Sequence, residues 1–151
     1  MTESQPTSQP GLQFRRATAA DANNILSFWR AADAAPGVTD TVEDIQSIVG
    51  RESAAFILAI SQGQIVGSII AGFDGWRGGI YRLAVHPQNR RQGLARMLVA
   101  EAEKVFKKWG VKRVSAIVLK DHPWAIGFWK AAGYSVDERV VRFIRDFSEG
   151  A

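Results

Sequence analysis

Four stretches of the chain carry apolar residues at every third or fourth position, and this period predicts four helices. The predicted helices begin at or just after these residues: Thr18, Thr41, Gly93 and Pro123. A proline or glycine follows each stretch and is expected to end the helix, at these positions: Pro36, Gly50, Gly110 and Gly133. The longest helix is expected over Gly93–Trp109, with its apolar stripe turned toward a core.

Runs rich in β-branched and aromatic residues lie before, between and after these helices and predict strands. The predicted strands are residues 12–16, 54–60, 65–73, 80–85 and 114–119, with one or two closing strands in 136–147. Short turns join the second, third and fourth strands, so these three should be antiparallel. The long helix separates strands 80–85 and 114–119, which should therefore run parallel. The predicted class is α/β, with a single mixed central sheet flanked by helices.

The chain has 151 residues, and 46% of them are hydrophobic, which suits one domain with its own core. We assign that domain to residues 12–147. Residues 1–11 are rich in Ser, Thr, Gln and Pro without apolar periodicity, which is typical of a disordered tail.

The composition excludes several kinds of site. The chain contains no cysteine, so disulfides, thiolate metal sites and a cysteine nucleophile are ruled out, and no metal site is expected. No apolar run reaches the roughly 18 residues that a membrane span needs, and the first ten residues do not resemble an export signal. We therefore expect a cytoplasmic protein that does not bind a membrane and is either a monomer or a homodimer.

The formal net charge is +4, and Arg90, Arg91 and Arg96 form a cationic cluster, which indicates an anionic partner. Nucleic-acid-binding surfaces usually interleave aromatic side chains with their cations, and this cluster has none before Trp109. A phosphorylated small molecule fits better. A nucleic-acid-binding α/β domain is retained as a weaker alternative.

Arg90 and Arg91 lie in a turn, Val85–Ala95, that joins the end of a predicted strand to the start of the long helix. A helix start has backbone N–H groups without partners and a partial positive charge, so it attracts anions. Gly93 and the small Ala95 would let phosphate oxygens approach these amides. Neither a Walker loop nor a dinucleotide fingerprint is present, so the turn is either a different phosphate site or a plain helix start.

The motif Arg90-x-x-Gly93-x-Ala95 resembles the Q/R-x-x-G-x-G/A signature of GNAT acetyltransferases. The segment Tyr81–Pro87 resembles the family's fourth strand and the turn after it, and Ala125–Tyr134 is similar to its later helix and the Gly-Tyr entry into the next strand. The likeness extends from Leu12 to about Phe147. It implies an N-acetyltransferase that uses acetyl-CoA, or alternatively an acyl-CoA-binding sensor or interaction module without turnover.

The resemblance also implies how the cofactor binds. Backbone groups of Leu83 and Val85 would hold the acetyl and pantetheine parts like an added strand, and amides from Arg90 to Ala95 would take the pyrophosphate. The expected cofactor-binding residues are Leu83, Ala84, Val85, Arg90, Arg91, Gln92, Gly93, Leu94, Ala95, Phe128 and Trp129.

Two positions depart from the family's pattern. Many members have an asparagine and a tyrosine where this chain has His122 and Trp129. An indole N–H has no accessible acid chemistry, so Trp129 cannot protonate the leaving thiolate. Tyr81 and His122 are the candidates for a side-chain acid in its place, although a tyrosine on a strand is more often a packed aromatic and a histidine at this position is more often a helix cap.

Residues expected over the acceptor mouth are the remaining candidates. The aspartates Asp33, Asp40 and Asp74 could each hold a substrate ammonium, or could simply cap a turn. Trp29 and the Trp76-Arg77 pair suggest aromatic walls of a lid, although burial in the core is the better explanation for Trp29. The substrate residues predicted here are Trp29, Asp40 and Asp74.

Overall fold

The computed structural model describes residues 11–34 and 37–147. The chain divides into two compact units, which meet in sequence between Ala116 and Ile117. The predicted tail lies outside the described residues except for Gly11, as does the helix stop at Pro36. Both stay predictions, and so does the assignment of residues 12–147 to one domain.

The first unit contains one mixed sheet of five strands, which confirms the predicted fold class. The strands are β1 (Gln13–Arg16), β2 (Ala54–Ser61), β3 (Gln64–Phe73), β4 (Gly78–Val85) and β5 (Val114–Ala116). They lie side by side in chain order, and β1 to β4 are antiparallel. β5 runs parallel to β4, as the helical crossover between them predicts.

Helices cover both faces of this sheet. On one face α1 (Ala22–Ala31), which follows a 3₁₀ turn, and α2 (Val42–Val49) pack on alternate residues of β2 and β3. Their core includes Phe28, Ile45 and Leu58. On the other face lies α3 (Leu94–Trp109), whose buried residues include Leu98 and Phe106.

α3 approaches the sheet closely because glycines face it. A Cβ on Gly67 of β3 would lie 2.8 Å from Cδ1 of Leu98, and one on Gly78 of β4 would lie 2.8 Å from a ring carbon of Phe106. No side chain fits at either position without a shift of its neighbours. This close packing holds α3 against the face of β3 and β4.

The second unit contains the helix α4 (Pro123–Ala131), which matches the prediction. The strands predicted in 136–147 are wrong, because the described residues there form none. Apolar residues occur in adjacent pairs, Val140-Val141 and Phe143-Ile144, so strict alternation fails, and these side chains are exposed. A strand also needs a neighbour to bond with, which a sequence pattern does not specify. No helix among the described residues is both long and apolar enough to cross a membrane.

Candidate functional site

The open edge of β4 is the first part of the candidate site. Pairing of β4 with β5 ends at Ile80 and Ala116, so the described residues give Tyr81–Val85 no strand partner on that side. The His86 N–H donates to the carbonyl of Val66 on β3 at 2.8 Å. Because a trans peptide points its C=O opposite to its N–H, the Val85 carbonyl faces away from β3.

Successive residues of a strand point their backbone groups to opposite sides. The carbonyl of Leu83 therefore also faces the open edge, whereas Ala84 pairs with Ser68 of β3. The prediction that Ala84 binds the cofactor is therefore not supported for its backbone, which lies on the β3 side. Leu83 and Val85 present backbone groups to which an extended ligand could add like a strand.

A bulge interrupts β4 beside this edge. Between the pairs Ile70–Tyr81 and Ser68–Ala84, β3 contributes one residue and β4 contributes two. Arg82 in the bulge has a φ of 53°, a left-handed conformation that is uncommon for residues with a side chain. A bulged strand bends away from its line. The pairing of β5 with β4 ends at Ile80, just before the bulge, and β5 ends at residue 116 instead of the predicted 119.

The turn after β4 is held by local backbone contacts. His86 precedes a 3₁₀ turn over Pro87–Asn89, and its Nδ1 accepts from the N–H of Gln88 at 3.2 Å. Arg91 and Gly93 then adopt left-handed backbone, with φ of 63° and 80°. Left-handed residues in such turns form the concave N–H arrays that bind anions.

The start of α3 is the last part of this candidate anion site. The first i to i−4 bond runs from the N–H of Met97 to the carbonyl of Gly93 at 3.1 Å. The N–H groups of Leu94 and Ala95 precede that bond, so they have no acceptor within the helix. The helix dipole adds about half a positive charge at the same place. A Cβ on Gly93 would meet nothing within 4 Å, so the space beside these amides is open.

Arg90 and Arg91 have different surroundings. Nε of Arg90 donates to the Val85 carbonyl at 3.1 Å, and its Nη2 donates to the Ala32 carbonyl at 3.0 Å. The Arg90 side chain therefore ties the end of α1 to the end of β4 while its charge remains beside the turn. Arg91 is exposed, as is Gln92. Of the two arginines, Arg91 is the better placed to contact a ligand directly.

Trp29 and Asp40, predicted to face the acceptor, already have partners within the protein. Trp29 is 4% exposed, and its Nε1 donates to Oγ of Ser68 at 3.0 Å. Asp40 accepts from Nη2 of Arg82 at 2.6 Å. Asp40 is therefore not a free ammonium site, and Trp29 is buried in the core. Asp33 is exposed at the end of α1.

Asp74 lies in the turn before β4, at the opposite end of that strand from Val85. Its Oδ1 accepts from the N–H groups of Trp76 and Arg77 at 2.8 and 2.7 Å, and these bonds lower the pKa of the carboxyl. The strand between places Asp74 about 25 Å from the open edge at Val85. Asp74 is therefore a turn residue remote from the candidate cofactor site, and the substrate role predicted for it does not fit.

Tyr81 is 56% exposed, but its ring lies back over the start of β4. The hydroxyl oxygen is 3.0 Å from the point that a Cβ on Gly79 would occupy. Four residues of strand rise, about 13 Å, separate Gly79 from Leu83. In this conformation the phenol does not reach the edge where an acetyl group would bind, so the prediction that Tyr81 is catalytic does not fit.

The other predicted residues belong to the second unit. His122 is the N-cap of α4 but makes no side-chain cap bond, and its ring stacks on Trp124 at 5.5 Å. Trp129 packs edge-to-face against Phe128 at 5.3 Å and against Tyr134 at 4.9 Å. The half-buried Trp129 thus forms an aromatic cluster within this unit.

Sequence reasoning missed Arg82 and Ser68, which lie where the bulge meets α1. Both could have been noticed as single polar residues inside apolar strand runs, Gln64–Phe73 and Gly78–Val85. Buried polar residues need partners, and Ser68 is fully buried. The described residues contain no group of three or more histidine and acidic side chains that could hold a metal ion.

The chain is similar to known proteins in sequence and in fold. The sequence model described as "Acetyltransferase (GNAT) family" matches residues 22–134. An acetyltransferase of Pectobacterium atrosepticum is 31% identical over 129 residues, covering 83% of this chain and 92% of that protein.

Two solved structures are similar in fold. The PaiA N-acetyltransferase of Thermoplasma acidophilum, in complex with coenzyme A, has a TM-score of 0.77 at 16% identity, covering 84% of this chain and 91% of that one. An aminoglycoside 6'-N-acetyltransferase of Acinetobacter haemolyticus has a TM-score of 0.74 at 19% identity, covering 90% and 99%.

Proposed function

Since the chain belongs to the acetyltransferase (GNAT) family, whose members use acetyl-CoA, we propose that it transfers the acetyl group to a primary amine of a small molecule or peptide. The transfer proceeds by direct attack of the amine in a ternary complex. The observation that carries the proposal is the succession, over Leu83–Ala95, of an open strand edge and an amide-rich helix start.

This succession suits the two chemically different parts of the cofactor. The Leu94 and Ala95 amides, with the charge of Arg91, take the pyrophosphate, and the open space beside Gly93 admits its oxygens. The Val85 N–H and the Leu83 carbonyl match the amide groups of pantetheine. Backbone groups supply most of these contacts, so the side chains around them can vary.

Acetyl-CoA supplies a thioester whose carbonyl carbon forms the new C–N bond as the C–S bond breaks. Because a thiol has a pKa of about 8.5, the thiolate can leave with little help from an acid. The protein contributes mainly by holding the amine and the thioester in line. Trp129 donates no proton in this scheme, and His122 remains the candidate for a side-chain acid that protonates the leaving thiolate.

A pair of substitutions at Gly93 tests the cofactor site. Gly93→Ala and Gly93→Glu share the cost of a left-handed residue with a side chain, but only the second places a carboxylate beside the amides. Calorimetric titration with acetyl-CoA should show a modest loss for the alanine variant and a loss of more than about 100-fold for the glutamate variant. Equal affinities in the two variants would contradict the proposed pyrophosphate site.

Turnover is tested by following thiol release with a panel of amines. The panel contains polyamines, amino-terminal peptides and aminoglycosides, the last because one structural neighbour is an aminoglycoside 6'-N-acetyltransferase. Amine-dependent release supports the enzyme. Tight binding of acetyl-CoA without thiol release in the presence of any amine would instead favour an acyl-CoA-binding sensor without turnover.

Substitutions in α4 test the proton chemistry. Trp129→Phe should keep kcat within about threefold, because the ring packs without transferring a proton. His122→Gln should lower kcat/KM, because glutamine cannot donate a proton to the leaving thiolate, whereas a kcat/KM close to wild type would exclude the imidazole as that acid. A stably folded Trp129→Phe variant without turnover would show that the indole has a larger role.

A further inference from the structure

We propose that Arg82 and Asp40 form a latch, an ion pair that fixes the Gly37–Asp40 turn against the bulge of β4 and so positions the acceptor amine. This inference rests on the proposed function, because it assigns a role in the same transfer. Arg82 is a positioning residue here, since it acts through the turn and the strand.

The ion pair is short and partly shielded. Nη2 of Arg82 lies 2.6 Å from Oδ2 of Asp40, and the two side chains are 20% and 17% exposed. The same Asp40 oxygen accepts from the N–H of Gly37 at 3.1 Å, so the carboxylate also closes its own turn. Gly37 has no side chain to obstruct the approach, since a Cβ there would lie 3.1 Å from Nη2 of Arg82. Charge-assisted bonds of this kind are stronger than neutral ones.

The Arg82 residue is held from two further sides. Its guanidinium lies over the ring of Trp29, with Cζ 4.9 Å from the ring centroid. Its carbonyl accepts from Oγ of Ser68 at 2.8 Å, and that hydroxyl accepts from Nε1 of Trp29. The Ser68 hydroxyl therefore links the bulge of β4 to the side chain of Trp29. The left-handed conformation of Arg82 is thus supported by side chains from β3 and α1.

A second contact anchors the neighbouring part of α1. Arg90 joins the carbonyl of Ala32, at the end of α1, to the carbonyl of Val85. The end of α1 and the Gly37–Asp40 turn are therefore both fastened along the Arg82–Val85 stretch. This is the stretch whose open edge is proposed to hold the acetyl group.

An amine that attacks an acetyl group on this edge passes beside the fastened turn. The latch therefore restricts where the amine can lie, whereas the pyrophosphate amides at Leu94 and Ala95 do not depend on it. Loss of the pair should weaken use of the acceptor much more than binding of acetyl-CoA. That difference separates a positioning role from a general structural one.

Four variants test this assignment. Arg82→Met keeps the aliphatic stem over Trp29 and removes the charge, Asp40→Asn removes the opposite charge, and Arg82→Lys is the conservative variant. Arg15→Met is the matched control, because it breaks another Arg–Asp pair, Arg15–Asp21 at 2.8 Å, in the same unit but in a different part of it.

Hydrogen exchange of the cofactor-free proteins is the first measurement. The N–H of Gly37 donates to the Asp40 carboxylate, so its exchange should be about tenfold faster in Arg82→Met and Asp40→Asn than in wild type. Arg82→Lys should restore part of the protection, and Arg15→Met should leave it unchanged. Unchanged exchange at Gly37 in both charge-removing variants would overturn the latch, whether or not the wild-type protein acetylates an amine.

Kinetics with an accepted amine are the second measurement. Arg82→Met and Asp40→Asn should each raise the amine KM by about tenfold, with acetyl-CoA affinity within about twofold of wild type. The double variant should lose little beyond either single one, because both remove the same contact. An equal loss of acetyl-CoA affinity, or full additivity, would overturn the positioning role. If wild type acetylates no amine, the proposed function fails, and the exchange data alone decide whether the latch exists.

Discussion

At the scale of single residues, backbone strain concentrates near the candidate site. Four described residues other than glycine have a positive φ: Asp33, Gln62, Arg82 and Arg91. Gln62 belongs to the hairpin between β2 and β3, where such turns are ordinary. The other three lie at the end of α1, in the bulge of β4 and in the turn before α3. Strain of this kind persists when the surroundings hold it in place, and it often marks function.

Arg91→Gly should therefore stabilise the protein while weakening its cofactor site. Glycine removes the left-handed cost, which should raise the free energy of unfolding by about 0.5–1 kcal/mol. Loss of the exposed charge should lower acetyl-CoA affinity by about threefold to tenfold. Urea unfolding and calorimetry measure the two effects. A variant that gains neither stability nor a weaker affinity would show that Arg91 is not placed as described.

At the scale of elements, the junction of β1 and α1 is stabilised by a carboxylate. Asp21 accepts from Arg15 at 2.8 and 2.9 Å and from the Thr18 N–H at 2.7 Å. The hydrogen bonds from the Arg15 side chain are the main reason that the pKa of Asp21 is lowered to about 2. The sequence pattern Thr18–Asp21 predicted this helix start, but not the contribution of Arg15 from the preceding strand.

Asp21→Asn should lower the free energy of unfolding at pH 7 by about 1 kcal/mol. The carboxylate binds protons more weakly in the folded than in the unfolded protein, where its pKa is about 3.9. Its contribution is therefore complete above about pH 4 and is lost as the pH falls toward 2. Unfolding curves at several pH values should show the two proteins converging over that range. Asp137→Asn, at an ion pair with 80% and 40% exposed side chains, should show little effect.

The close packing of α3 on the sheet leaves no room for a side chain at Gly67. Gly67→Ala places a Cβ 2.8 Å from the fully buried Leu98 and should lower the free energy of unfolding by about 1–3 kcal/mol. Gly127→Ala, in the interior of α4 with open space around its Cβ, should instead raise it by about 1 kcal/mol. Urea titration of both variants measures the difference. Equal effects would mean that the packing of α3 is looser than described.

At the scale of the whole molecule, the family match at residues 22–134 extends through the first unit and into the second. The formal net charge of +4 also favours an anionic ligand. A ligand that binds the folded chain stabilises it by mass action, and acetyl-CoA at 100 times its Kd contributes about 2.7 kcal/mol.

Thermal unfolding should therefore shift upward by about 5–10 °C with acetyl-CoA at that concentration. The shift should shrink at high salt, because the pyrophosphate contacts are partly electrostatic. Adenosine without phosphates is the control and should give no comparable shift. A rise in Tm that is the same for Gly93→Glu and wild type would place the ligand elsewhere.

Much of the fold followed from local patterns. Helix starts at Thr41 and Gly93, the turn after Ser61 and the parallel crossover to β5 are encoded by residues near each other in the chain, and the structure confirms them. The segment 136–147 shows the limit of such reasoning. Its β-branched and aromatic residues favour strands, but ladder partners lie elsewhere in the chain and are not part of the local pattern.

The sequence by itself determined the class of fold, the family, and the turn around Gly93 that leads into α3, because each depends on short-range periodicity or on a compact motif. Only the tertiary structure decided which polar groups are already engaged. It pairs Asp40 with Arg82, directs Arg90 to the carbonyls of Ala32 and Val85, and separates Asp74 from the candidate cofactor site by the length of β4. These outcomes depend on contacts between residues up to 58 positions apart, and on a bulge that reorients one strand.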